Sequence, residues 1–174
     1  MKLLSTIVVS CVFLSRIVAQ GIIPVPPLLE GPVFNLVAQK GSTEIYPGIQ
    51  TQTMGYNGSI LAPTLLLQQG QTVTLNVHNQ LGDMTTTHWH GLHVSPANDG
   101  GPHTPIMPGE TWSPSFEVKD KAATYWYHPH MHEMTMAQVV KGMAGMIIVR
   151  DAEEAALELP RTYGVDFAVL LGEK

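Results

Sequence analysis

This chain predicts an all-β fold, a single-domain sandwich or barrel of antiparallel strands, on three observations. Short stretches alternate strictly between apolar and polar residues, clusters of turn-forming residues fall between them, and the 174 residues include 16 glycines and 13 prolines. Side chains on a strand alternate between its two faces, so the alternation marks half-buried strands. Gly and Pro set the backbone angles that turns require. Many short strands punctuated in this way build sandwiches and barrels. A chain of this length can bury one respectable core.

From the N-terminus, residues 1–20 read as a signal peptide. Lys2 gives the positive start, Leu3 to Leu14 is mostly apolar, and Ala19 is a small residue suited to cleavage. The expected destination is outside the cytoplasm, periplasmic or extracellular. A stable membrane span is not expected, because a bilayer needs about 20 largely apolar residues and this stretch meets Arg16 first.

Residues 21–150 read as the folded domain. Turns are expected at Pro47-Gly48 and Asn57-Gly58, and a strand over Gln71–Asn79, with Val73, Leu75 and Val77 inward and Thr72, Thr74, Asn76 and His78 outward. His78 therefore reads as solvated. Further turns fall at Asp99-Gly100-Gly101-Pro102 and Pro108-Gly109, a second alternating strand at Ser115–Lys119, and a continuous apolar run at Met146–Val149 of the kind found in buried strands. The only helix predicted is Ala152–Leu159, stopped by Pro160. With the residues after it, it forms an expected connector over 151–174.

The net charge of -5, with no long basic run, argues against nucleic acid as a partner. Cys11, inside the leader, is the single cysteine, so the exported fold is expected to depend on no thiol or disulfide.

The chemistry lies in two histidine pairs, one in His88-Trp89-His90-Gly91 and one in Tyr125-Trp126-Tyr127-His128-Pro129-His130. In a strand, residues i and i+2 share a face at roughly 6.5–7 Å, so each pair presents two imidazoles and two such strands together present four. Neutral imidazoles suit copper, zinc, iron or nickel. Solvated strand histidines are the bland alternative. Trp89, Tyr125 and Trp126 weigh against it, because aromatic packing restricts histidine rotamers and dries their surroundings.

His93 falls on the opposite strand face from His90 and reads as a supporting or surface residue, and His103 as a loop residue. His132 continues the alternation of His128 and His130, and three histidines on one face could hold a metal alone. Met131, Met134 and Met136 surround the second pair, either as soft donors suited to Cu(I) or as ordinary packing. A hydrolytic zinc site of the His-Glu-x-x-His kind ranks last, because Glu133 lacks the second histidine at that spacing.

The two pairs, together with Pro105-Ile106-Met107-Pro108-Gly109-Glu110-Thr111-Trp112 between them and Gly142-Met143-Ala144-Gly145-Met146-Ile147-Ile148-Val149 after them, resemble in that order the first cupredoxin domain of multicopper oxidases, the laccase and cuprous-oxidase group. The resemblance runs from about Val33 to the C-terminus. It implies a cupredoxin-like Greek-key β-sandwich. It also implies that His88 is a ligand of a type 2 copper and that His90, His128 and His130 are ligands of paired type 3 coppers, in a trinuclear cluster where dioxygen is reduced to water. Only the first two positions of the second run are cluster ligands in that family, so His132 stays outside the set.

The family takes its remaining cluster ligands from a last domain, so the implied partners are the missing cupredoxin domains or another subunit, besides dioxygen and a small reducing substrate. A type 1 copper needs a cysteine thiolate beside two histidines, and Cys11 is the only cysteine, so the expected copper site is partial. Leu159 to Asp166 resembles the passage into a second domain and Phe167 to Leu171 reads as its opening strand, so the chain is expected to be truncated. The expected function is that of an N-terminal copper-binding domain of an exported multicopper oxidase. The alternative is a stand-alone exported copper-binding module without turnover.

Overall fold

The computed structural model describes residues 25–162. The leader with Cys11, and residues 167–171, expected to open a second domain, lie outside the described residues.

Ten strands and two short helices follow one another: β1 (Leu28–Glu30), β2 (Val33–Tyr46), β3 (Ile49–Tyr56), β4 (Thr64–Gln68), β5 (Thr72–Asn79), β6 (His88–His90), β7 (Thr111–Trp112), β8 (Ser115–Glu117), β9 (Ala123–His128), α1 (Thr135–Val140), β10 (Gly145–Arg150) and α2 (Ala152–Ala155). One sheet has the order β1-β4-β10-β9-β6. The other has the order β3-β2-β5-β7, with β8 also pairing β5. Sheet neighbours are mostly distant in sequence, so the chain passes repeatedly between the sheets, as a Greek-key sandwich does.

The alternating stretches became strands for the expected reason. Phe34, Leu36 and Ala38 of β2, Val73, Leu75 and Val77 of β5, and Leu65 and Leu67 of β4 are buried in the core, while Thr72, Thr74, Asn76 and His78 alternate with them as partly or fully exposed residues. Each fully buried Leu, Ile or Val contributes on the order of 1.5–3 kcal/mol through area removed from water, so a one-residue slip of β5 would turn its stabilising face outward. The Pro47-Gly48 turn lies between β2 and β3, which pair antiparallel. Met146 to Val149 in β10 is buried throughout.

Four expectations need correction. The sheets are mixed, since β1 with β4, β10 with β4, and β2 with β5 pair in parallel; crossing between layers brings strands back in the same direction, which local alternation cannot reveal. The predicted helix at 152–159 is helical only over α2: Asp151 caps it by accepting from the Glu154 N–H at 2.7 Å, but Leu157 and Leu159 are exposed and bury nothing that would extend it.

Helix α1 was not predicted, and its Thr135, Val139 and Val140 are poor helix formers. Tertiary bonds hold it, with Gln138 accepting from the Thr85 hydroxyl at 2.9 Å and donating to the Met84 carbonyl at 2.9 Å. Last, β9 ends at His128, since Pro129 has no N–H to give a ladder. His130 and His132 therefore do not continue a strand alternation.

Candidate metal centre

Strands β6 and β9 pair antiparallel, with His88 opposite His128, Trp89 opposite Tyr127, and His90 opposite Trp126. Alternation then separates two sets of side chains. Trp89 and Tyr127 are fully buried in the core, so the other face of the pair carries His88, His90, Trp126 and His128. β6 is also the last strand of its sheet, which places the histidines at a sheet edge. His130 joins them from just past the end of β9.

The four imidazoles form one cluster. From the His88 ring the centroids of His90, His128 and His130 lie at 5.5, 5.6 and 5.4 Å. His128 lies 5.4 Å from His90 and 5.9 Å from His130. His128 is buried at the base while His90 and His130 are exposed. Trp126 stacks on His128 with centroids 4.0 Å apart and lies 5.0 Å from His90, closing one side of the cluster with an apolar wall.

Hydrogen bonds decide which ring nitrogens are free. His88 Nδ1 meets the Asp99 carbonyl at 2.9 Å and His128 Nδ1 meets the Pro129 carbonyl at 2.7 Å. A carbonyl only accepts, so both Nδ1 atoms carry hydrogen and both Nε2 atoms hold free lone pairs. His90 Nδ1 lies 3.1 Å from His128 Nε2. Two nitrogens each about 2.0–2.1 Å from one ion sit about 3 Å apart, so this pair has the spacing of two ligands of one metal. The backbone N–H of His130 donates to the Thr86 hydroxyl at 2.6 Å. The donor set, neutral imidazoles with two tautomers fixed by carbonyls, fits copper. Among the described residues no group of three or more His, Cys, Asp or Glu side chains is set to hold an ion alone.

Burial pushes the pKa of His128 from its usual 6.5 down to about 4, with the neighbouring His88, His90 and His130 adding to the effect against a smaller opposing pull from the Pro129 carbonyl. His128 is therefore neutral and free to ligate at neutral pH. In the unfolded chain the same ring takes a proton below about 6.5, so between the two values the unfolded state binds more protons. The stabilising contribution is complete above pH 6.5 and is lost as pH falls toward 4. The urea midpoint of the metal-free protein is expected to fall from pH 7.5 to pH 5, and His128→Asn is expected to flatten that slope. Equal slopes in the two proteins would contradict the assignment.

The other histidines take separate places. His93 donates its backbone N–H to the buried Asp120 carboxylate, and its Nδ1 lies 2.6 Å from Asp120 Oδ1 while most of the ring is exposed. It is a surface residue tied to a buried carboxylate, in line with the supporting or surface reading. His103 is an exposed loop residue. His132 is exposed, 3.7 Å from Glu133, and is not among the rings in contact. His78 is partly exposed, 2.9 Å from the Thr111 hydroxyl. Sequence reasoning missed Thr86 and the Asp99 carbonyl. Thr86 carried the faint signal of adjoining the first pair in Thr85-Thr86-Thr87, whereas a backbone carbonyl carries none.

A multicopper oxidase family profile matches residues 38–154, more than half of the chain and all four histidines. The chain belongs to the multicopper oxidase family. It is 42% identical over 142 residues to the multicopper oxidase mco of Staphylococcus aureus, covering 81% of this chain and 31% of that protein. It is 36% identical over 157 residues to the cell division protein FtsP of Escherichia coli, covering 87% and 33%. Among solved structures, the laccase-like multicopper oxidase CueO from Ochrobactrum sp. superposes with a TM-score of 0.80 at 41% identity, covering 83% of this chain and 33% of that one. A laccase from Pediococcus acidilactici gives 0.78 at 40% identity, covering 83% and 33%. The fold is thus the cupredoxin-like sandwich of these oxidases. This multicopper oxidase chain spans about a third of the length of those relatives.

Proposed function

We propose that this chain is the copper-binding N-terminal domain of an exported multicopper oxidase and contributes half of the histidine ligands of a trinuclear cluster. His88 serves the type 2 copper, and His90, His128 and His130 serve the type 3 pair. The observation that carries this reading is the 3.1 Å approach of His90 Nδ1 to His128 Nε2 within a cluster of four imidazoles. Family membership alone decides less, since one relative is named for oxidation and another for cell division.

Copper held there supplies the one-electron steps that reduce dioxygen to water. The protein side is positioning. The Asp99 and Pro129 carbonyls hold the His88 and His128 tautomers, Thr86 anchors the His130 backbone, and Trp126 excludes water from one side. The exposed rings of His90 and His130 leave the cluster open toward further ligands, which the rest of a longer protein or another subunit would provide. The reading extends to one-electron oxidation of phenols or metal ions by that whole assembly, and to export directed by residues 1–20.

A second reading is a stand-alone exported copper-binding module without turnover, favoured by the single cysteine, Cys11, in the leader. Oxygen uptake by the copper-loaded protein with a phenolic donor separates the two, measured alone and with a chain carrying the last domain of a relative. Uptake only in the mixture supports the domain reading. Uptake in neither favours the stand-alone module, and uptake by the single chain overturns both. The same sample is expected to lack an intense red-region absorption band, because that band requires a copper–thiolate bond.

A further inference from the structure

Methionine ordinarily fills gaps in cores, and Met54, Met143 and Met146 do so here. The five other methionines among the described residues are Met84, Met107, Met131, Met134 and Met136. Met84, Met107 and Met136 are exposed by 39%, 43% and 78%, and Met131 and Met134 are half-buried. They come from three segments far apart in sequence, and hydrogen bonds tie those segments together.

Thr85 and Ile106 exchange backbone bonds at 3.2 and 2.7 Å, which sets their neighbours Met84 and Met107 on adjoining segments. Gln138 of α1 donates to the Met84 carbonyl and accepts from the Thr85 hydroxyl, which brings Met136, two residues before it, to the same place. Met131 and Met134 bracket the turn that opens α1: the Met131 carbonyl accepts from the N–H groups of Met134 and Thr135. Glu133 inside that turn has φ +60, a left-handed conformation costly for a residue with a side chain.

The non-core methionines are thus gathered on one face, beside the histidine cluster, since Thr86 next to Thr85 holds His130. Thioethers are uncharged, soft donors that select Cu(I) over the hard cations of solution. We infer that Met84, Met107, Met131, Met134 and Met136 form a second metal site, a thioether surface that binds cuprous ion independently of His88, His90, His128 and His130. Because it uses none of those ligands, it stands or falls apart from the cluster assignment.

The probe is Ag(I), a closed-shell stand-in for Cu(I) that avoids oxidation in air, added to full-length protein labelled with ¹³C at the methionine methyl groups. The expected result is that resonances of the five surface methionines shift on titration while those of Met54, Met143 and Met146 stay in place. The quadruple His88/His90/His128/His130→Ala variant is expected to keep this response. Replacing all five methionines by leucine is expected to raise the Ag(I) dissociation constant in that background at least tenfold, with the far-UV circular dichroism unchanged. Shifts confined to histidine resonances, loss of the methionine response in the histidine variant, or undiminished Ag(I) binding by the leucine variant would each overturn the inference; the last would leave the face as an ordinary apolar contact surface.

Discussion

Trp89→Ala is expected to destabilise the metal-free domain by about 3–5 kcal/mol, the usual cost of removing a large buried aromatic side chain. Trp89 has no exposure. Its ring stacks on Trp112 at 6.1 Å with planes 10° apart and meets Tyr127 at 5.9 Å, so it joins the two sheets, one through β6 and β9 and the other through β7. Its indole N–H donates to the Asn98 carbonyl at 3.0 Å, one residue before the carbonyl that orients His88. Against a typical domain stability of about 5–15 kcal/mol, the loss removes a large fraction of the total. Trp89→Phe keeps much of the packing and is expected to cost less. Urea denaturation of the three proteins measures both. A loss under about 1 kcal/mol for the alanine variant would mean that Trp89 does not join the sheets.

Gly100→Ala is expected to weaken copper binding by about 10- to 100-fold, the range seen when a residue that orients a metal ligand is disturbed, although residue 100 touches no metal. Gly100 is buried with φ +69, and a Cβ there would overlap the Thr87 carbonyl oxygen and come 3.0 Å from the Trp112 ring. The backbone must move, and with it Asp99, whose carbonyl holds the proton of His88 Nδ1. Once that partner shifts, His88 loses its fixed tautomer and ring orientation. Competition titration against a chelator measures the loss, with circular dichroism recording that the sandwich persists. Wild-type affinity in a folded Gly100→Ala protein would show that the Asp99 contact does not position His88.

Much of this was legible because strand alternation writes itself directly into sequence. The pattern of β5 could be read position by position. The same rule explains the site, since in His88-Trp89-His90 and Trp126-Tyr127-His128 the buried aromatics alternate with the histidine face. What stayed hidden depends on contacts distant in the chain. Parallel pairing of β2 with β5 leaves no local trace, and α1 exists because Gln138 reaches Met84 and Thr85 across more than fifty residues. The histidine pairs could be named from sequence. Their tautomers could not, because Asp99 and Pro129 act through carbonyls common to every residue.

The central claim is that His88, His90, His128 and His130 together hold copper. The most direct measurement is the Cu(II) content of the purified protein beside that of the quadruple His88/His90/His128/His130→Ala variant, after dialysis against a weak chelator, with far-UV circular dichroism confirming that both are folded. Because the cluster lies at a sheet edge on the face opposite Trp89 and Tyr127, the variant is expected to keep the sandwich and to lose its bound Cu(II). Unchanged copper stoichiometry in the folded variant would contradict the account.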